Sequence, residues 1–172
     1  MKVEIGPRWT KIGPSWITVS LVPTPYVDHV ADWPRGLPFQ DNSVSIIYAS
    51  HVLEHIWWYD TVTALKEAFR VLRPGGVLEI HVPDFRKILF SYICRECGDE
   101  WRKFNKGNDY LEWLNGRIFS YEAPGNCHRA VFDRERLRNC IIESGFDFAD
   151  GAPFRGSSKH LEIDLAATAV KK

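Results

Sequence analysis

Three histidines carry most of the chemistry this sequence could perform. The run His51-Val52-Leu53-Glu54-His55 sets two imidazoles four residues apart around a glutamate, the spacing with which one helical face holds zinc while the carboxylate activates water. Spacing names no third ligand, and the run directly follows a segment that reads as a strand, so no metal is expected there. His51, His55 and His128 are instead candidate catalytic bases, because imidazole titrates near neutral pH. A hydrogen-bonded structural role is the alternative for each. Trp57-Trp58-Tyr59 follows the histidines and either floors a pocket for a ring or a sugar face or packs beneath the next helix. Cys94-x-x-Cys97 stands with two single cysteines, Cys127 and Cys140, whereas a structural zinc site normally shows two such pairs, and thiols in a cytosolic chain stay reduced.

The elements that must position these groups alternate in type. Segments 3–5, 16–21, 27–31 and 44–49 are short, rich in β-branched and aromatic residues and bounded by Gly, Pro, Asp and Asn, which predicts strands. Asp60 can cap a helix in which Val62, Leu65, Phe69 and Leu72 recur at helical spacing until Pro74-Gly75-Gly76 stops it. A strand at 77–82 follows. This strand, helix and strand make a crossover unit, which puts 44–49 and 77–82 parallel, as neighbours of 3–5 at the centre of one sheet. Helices are expected at 85–93 and 108–114, another after Asp133 carrying Leu137, Ile141 and Ile142 up to Gly145, and late strands at 146–148 and 161–170. The fold class is α/β, a mostly parallel sheet with helices on both faces, in a single domain over 1–172. Such sheets bind ligands beyond the carboxyl ends of their strands: here Gly6, Ser20, Asp32, 50–55 and 83–84.

Composition narrows the function. Twenty-two Lys plus Arg balance 22 Asp plus Glu, which removes the counterion-release drive of nucleic-acid binders, so no nucleic-acid partner is expected. A chain of 172 residues can bury about 70% of its unfolded surface and needs no staple. No apolar signal core opens the sequence and no apolar run approaches a membrane span. The expectation is a cytoplasmic protein without membrane contact.

Four further pieces occur in a specific order: Ala31-Asp32, then Leu37-Pro38-Phe39-Gln40-Asp41-Asn42-Ser43-Val44, then Ala49-Ser50-His51-Val52-Leu53-Glu54-His55, then Glu67-Ala68-Phe69-Arg70-Val71-Leu72-Arg73-Pro74-Gly75-Gly76. Together they resemble the small class I S-adenosylmethionine-dependent methyltransferases (type 11-like), as does the stretch from His128 to Phe146. The resemblance implies a Rossmann-like methyltransferase fold with S-adenosylmethionine as cofactor. It makes Asp32 the carboxylate facing the adenine amino group, and puts Ser50 and His51 beside the methionine part. His128 falls on the loop facing the cofactor. Two positions depart from the family pattern. Glu4-Ile5-Gly6-Pro7 keeps only the first glycine of a Gly-x-Gly loop, and Ser20 stands where an acid grips the ribose hydroxyls, a change that lowers affinity on the order of tenfold.

The function this implies is methyl transfer to a small-molecule acceptor, with residues 85–126 as the acceptor-side cap. The alternative, of another class, is a cofactor-free relative acting as a binding or accessory subunit. The aromatic residues of 85–126, among them Phe85, Phe90, Tyr92, Trp101, Trp113, Phe119 and Tyr121, exceed what a short excursion hides, which predicts a homodimer through this segment.

Overall fold

The computed structural model describes residues 1–7, 9–95, 109–120, 127–149 and 163–172. Seven strands form one sheet: β1 (Lys2–Ile5), β2 (Trp16–Ser20), β3 (His29–Val30), β4 (Val44–Ser50), β5 (Leu72–Pro83), β6 (Asp147–Ala149) and β7 (Asp164–Val170), in the order β3-β2-β1-β4-β5-β7-β6. The first five run parallel, and β7 is antiparallel to both β5 and β6. Among the described residues, four helices accompany them: α1 (Thr61–Val71), α2 (Phe85–Cys94), α3 (Tyr110–Phe119) and α4 (Arg134–Glu143). This is the α/β architecture expected from the alternation of segments. The strand at 77–82 is indeed central and parallel to β4, but it reaches β1 only through β4.

Register explains the core. Val3 and Ile5 align with Ile47 and Ala49, and these with Leu78 and Ile80, so one sheet face is continuously apolar. Against it pack Ala64, Leu65, Ala68 and Val71 of α1 and Leu137, Cys140 and Ile141 of α4. The opposite face carries Glu4, Thr18, Tyr48, Glu79 and His81, all buried, and Glu79 is joined to His81 Nε2 at 2.7 Å.

Side-chain anchors account for the motif pieces that recur together. The Arg70 guanidinium donates to the Leu37 and Phe39 carbonyls and to Glu67 and Asp41, while Glu67 Oε1 accepts from the Leu37 amide at 2.7 Å. The Glu67–Arg70 pair thus fastens the 37–41 turn to α1 just before β4 begins. Lys171 Nζ donates to the Phe69 carbonyl and Asn42 Oδ1, tying the end of β7 to the last turn of α1.

Several boundaries differ from the sequence expectation for identifiable reasons. The strand expected at 27–31 shrinks to His29–Val30 because the Asp28 carboxylate takes the Thr18 amide and hydroxyl and the Lys11 ammonium. α1 ends one residue early, at Val71, since Leu72 turns extended to pair with Val44. Pro74-Gly75-Gly76, expected to stop the helix, lies past its end and belongs to β5, where Gly75 donates to the Lys171 carbonyl and Gly76 accepts from its amide. Asp60 precedes α1 without a side-chain cap bond, whereas Asp84, Asp109 and Asp133 cap their helices through their carboxylates. α3 runs to Phe119, five residues past the predicted end. The expected helix start at 108, the strand start at 161, Cys97, Trp101, Phe104 and Tyr121 lie outside the described residues.

Candidate functional site

The order β3-β2-β1-β4 sets four parallel carboxyl ends side by side. Gly6, Ser20, Asp32 and Ser50–His51 therefore share one rim. Gly6 has φ +76, a conformation an L side chain rarely adopts, and a Cβ there would lie 2.3 Å from Val52 Cγ2. The glycine lets the turn after β1 approach the turn after β4. Ser20 Oγ accepts from the Val22 amide, and the Ser20 carbonyl accepts from Ala31, which closes the rim between β2 and β3. Asp32 precedes a 3-10 turn, Trp33–Arg35, and its carboxylate meets the exposed Arg35 guanidinium at 3.1 Å. Leu21 and Val22, just past β2, are each 62% exposed. Two uncovered aliphatic side chains, a carboxylate and a serine hydroxyl along open strand ends fit an adenosyl group, which needs an apolar surface for its base and acceptors for its amino and hydroxyl groups. On the Gly6 side, Val52 fills the space a Cβ would have taken.

His51 lies in the left-handed region, φ +55, at the point where β4 gives way to a 3-10 turn, Leu53–His55. Both its nitrogens are engaged: Nδ1 is 3.1 Å from Glu54 Oε1 and Nε2 is 3.0 Å from Asp164 Oδ2. Burial works against its charged form, but the hydrogen bonds and charges of Asp164 and Glu54 outweigh it and push the imidazole up to about 9. Burial likewise opposes ionisation of Glu54, and the His51 hydrogen bond with the neighbouring imidazoles prevails, holding this carboxyl below the usual carboxylate range. His51 is thus a charged clasp joining β4, its following turn and β7. The helix that a zinc-protease pattern requires is replaced by a turn too short to put His51 and His55 on one face.

The fold pairs His55 not with His51 but with His128. The Arg129 and Ala130 amides donate to the Glu54 carbonyl at 2.7 and 3.1 Å, which lays segment 127–130 along the 53–55 turn. The rings of His55 and His128 meet edge to face, centroids 4.9 Å apart. His55 Nδ1 lies 3.2 Å from the Cys127 carbonyl and His128 Nδ1 lies 3.1 Å from the Arg117 carbonyl. A carbonyl only accepts, so each Nδ1 carries the proton and each Nε2 is left with its lone pair in the neutral ring. Burial pushes His128 below the ordinary histidine range, which favours that neutral form. Such an imidazole can take a proton or bind a metal ion.

Glu54 and His128 also line a narrow cleft with Pro83, Phe85, Ile88, Arg117, Ile118 and Val131, at the carboxyl end of β5 beneath α3. Trp57 and Trp58 are exposed rather than packed under α1, Trp57 stacks on Tyr59 with centroids 5.7 Å apart, and the Arg129 guanidinium covers Trp57. The structure therefore brings the predicted site residues into two groups: Gly6, Ser20, Asp32, Ser50 and His51 along the rim, and His55 with His128 beside Glu54. Asp164 is the member that sequence reasoning missed. Its distance in the chain from His51 and its place in a late strand offer no local signal. Cys94, Cys127 and Cys140 are free thiols, and no helix among the described residues is long and apolar enough to cross a membrane.

Residues 20–80 match a family described as a methyltransferase domain. Among curated proteins, a demethylmenaquinone methyltransferase of Staphylococcus epidermidis is 28% identical over 118 residues, covering 65% of this chain and 44% of the relative. The chain thus spans less than half the length of that relative. Among solved structures, a 1,6-didemethyltoxoflavin-N1-methyltransferase of Burkholderia thailandensis, bound to its substrate and S-adenosylhomocysteine, superimposes with a TM-score of 0.58 at 17% identity, covering 99% of this chain and 71% of the other. An S-adenosylmethionine-dependent methyltransferase of Mesorhizobium loti gives 0.56 at 14% identity, covering 99% and 90%.

Proposed function

From a chain that has the Rossmann-like class I methyltransferase fold and matches a methyltransferase domain over residues 20–80, we propose an S-adenosylmethionine-dependent methyltransferase acting on a small-molecule acceptor. The observation that carries this reading is the shared rim, where Gly6, Ser20, Asp32 and Ser50–His51 end four adjacent parallel strands. Asp32 would accept from the adenine amino group, Leu21 and Val22 would flank the base, and the Ser20 hydroxyl would meet the ribose. Ser50 and the turn at His51 would border the methionine part. When bound, the cofactor supplies a methyl group already activated on a sulfonium. The chain's own task is then alignment, since holding an acceptor atom at about 3–3.5 Å in line with the methyl accounts for much of the acceleration. His51 is a positioning residue here, because both its nitrogens hold carboxylates. His55 and His128 would border the acceptor side, and α2 and α3 would contribute the cap over it.

Calorimetric titration with S-adenosylhomocysteine tests the reading. Asp32→Ala is expected to weaken binding by about 1.5–3 kcal/mol, the value of a hydrogen bond to a charged group. Ser20→Asp should strengthen it on the order of tenfold by restoring a charged acceptor for the ribose. A folded wild-type protein that takes up no ligand at millimolar concentration would instead return the chain to the accessory-subunit reading.

A homodimer in the cytoplasm belongs to the same proposal. Phe90, Ile93, Leu111 and Phe119 are exposed on α2 and α3, a concentration of apolar area that a second copy of the chain would cover. Light scattering at micromolar concentration should give twice the mass of one chain. A strictly monomeric particle rejects the dimer and leaves these side chains to an intramolecular cap.

A further inference from the structure

Glu54, His55 and His128 do more than border the acceptor side. One nitrogen from each histidine and one carboxylate oxygen lie within 4.8 Å of one another. Three features of the cluster suit a cation. Glu54 Oε2 is buried and has no hydrogen-bond partner, although its other oxygen is held by His51. An ionised buried oxygen left unpaired costs free energy that a cation would recover. Each histidine is oriented through Nδ1 by a main-chain carbonyl, the outer-shell arrangement that fixes the tautomer and aims Nε2 at a metal. Finally, a general base needs one acceptor atom, whereas here three residues each bring a ligand atom within 4.8 Å of the others.

We infer that Glu54, His55 and His128 form a binding site for one divalent first-row transition-metal ion. Two imidazoles and a carboxylate are the donor set that holds zinc in sites with open positions and iron(II) in facial triads. Bonds of roughly 2.0–2.2 Å put neighbouring ligand atoms roughly 3.4 Å apart around a tetrahedral ion. The ligand atoms now lie within 4.8 Å of one another, so binding would draw them together. The site departs from the sequence expectation, in which His51, His55 and His128 were candidate bases, the His51–His55 zinc pattern was set aside and no metal was foreseen. His128 takes the place that His51 would have had, and His51 secures Glu54 from behind.

A consequence for substrate class rests on the methyl-transfer reading. With three protein ligands, the ion keeps positions for an acceptor oxygen, and a bound cation lowers the pKa of a hydroxyl. The acceptor class this favours is an alcohol or phenol methylated on oxygen. The transfer forms the O–CH3 bond, breaks the S–CH3 bond and releases the hydroxyl proton to water.

Cobalt(II), titrated into chelator-stripped protein and followed by its visible absorption, with competition by zinc in calorimetry, tests the site. A single equivalent should bind and be displaced by zinc. His55→Ala and His128→Ala should each lower affinity at least about 100-fold, since loss of an outer-shell partner alone costs 10–100-fold. Should either alanine variant fail to fold by circular dichroism, His55→Asn and His128→Asn serve in its place. His29→Ala, outside the cluster, should titrate as wild type. The inference is overturned if cobalt gives no band at millimolar concentration, or if the variants bind it as the wild type does. Binding of S-adenosylhomocysteine is measured separately on the stripped protein. Its absence alongside an intact cobalt site would remove the methyl-transfer reading and the substrate class while leaving the metal site in place.

Discussion

His51→Ala is expected to lower the unfolding free energy of the metal-free protein by about 3–5 kcal/mol, the cost of removing one partner from a buried charge group. The imidazolium lies between two carboxylates whose side chains are only 2% and 3% exposed. Its removal leaves Glu54 and Asp164 both without their shared cation. Removing one carboxylate is less severe, because Asp164→Asn keeps a net-neutral Glu54–His51 pair. The double variant His51→Ala/Asp164→Asn should therefore recover part of the loss, a coupling that a double-mutant cycle reads directly. The backbone at His51 is left-handed, so glycine there separates side chain from main chain. His51→Gly should fall within about 1 kcal/mol of His51→Ala if the clasp is the cause. Urea midpoints for the wild type and the four variants decide the matter. A wild-type midpoint for His51→Ala would mean that the clasp contributes nothing to stability.

Trp113→Ala should cost about 3–5 kcal/mol, as large-to-small changes of buried aromatic residues do. Trp113 is wholly buried and forms, with Ile88 and Ile163, a second apolar cluster between α2 and α3 and the start of β7, edged by Tyr92, Tyr110 and Leu114. This cluster is separate from the sheet core, so few other side chains can close on the cavity. Leu111, one turn's fraction away on the same helix but exposed, should change stability by less than about 0.5 kcal/mol when cut to alanine. Hydrogen exchange should locate the loss: amides of α2 and α3 lose protection first, while those of β4 and β5 keep theirs. Equal deprotection across the sheet would show that the two clusters act as one.

What the sequence determined by itself was the part of the molecule encoded within each segment. The β4–α1–β5 unit was legible because Val62, Leu65 and Phe69 repeat at helical spacing, the strands on either side carry β-branched residues, and Pro74-Gly75-Gly76 sets a point beyond which the helix cannot run. The rim residues were legible for a related reason: in a parallel sheet, function collects at the residue after each strand, and that position can be counted. Local pattern could not foresee that Asp28 would draw the Thr18 amide away and shorten β3, since that bond joins different segments. Nor could it show which histidines would meet. His51 and His55 are neighbours in sequence, yet the left-handed backbone at His51 turns its ring toward Asp164, 113 residues away. His55 is paired instead with His128 by the amides of Arg129 and Ala130 on the Glu54 carbonyl. Periodicity reports which face of a segment is buried; strand order and loop pairing decide which buried groups share a space, and the charge of that space follows from the company, not from the residue.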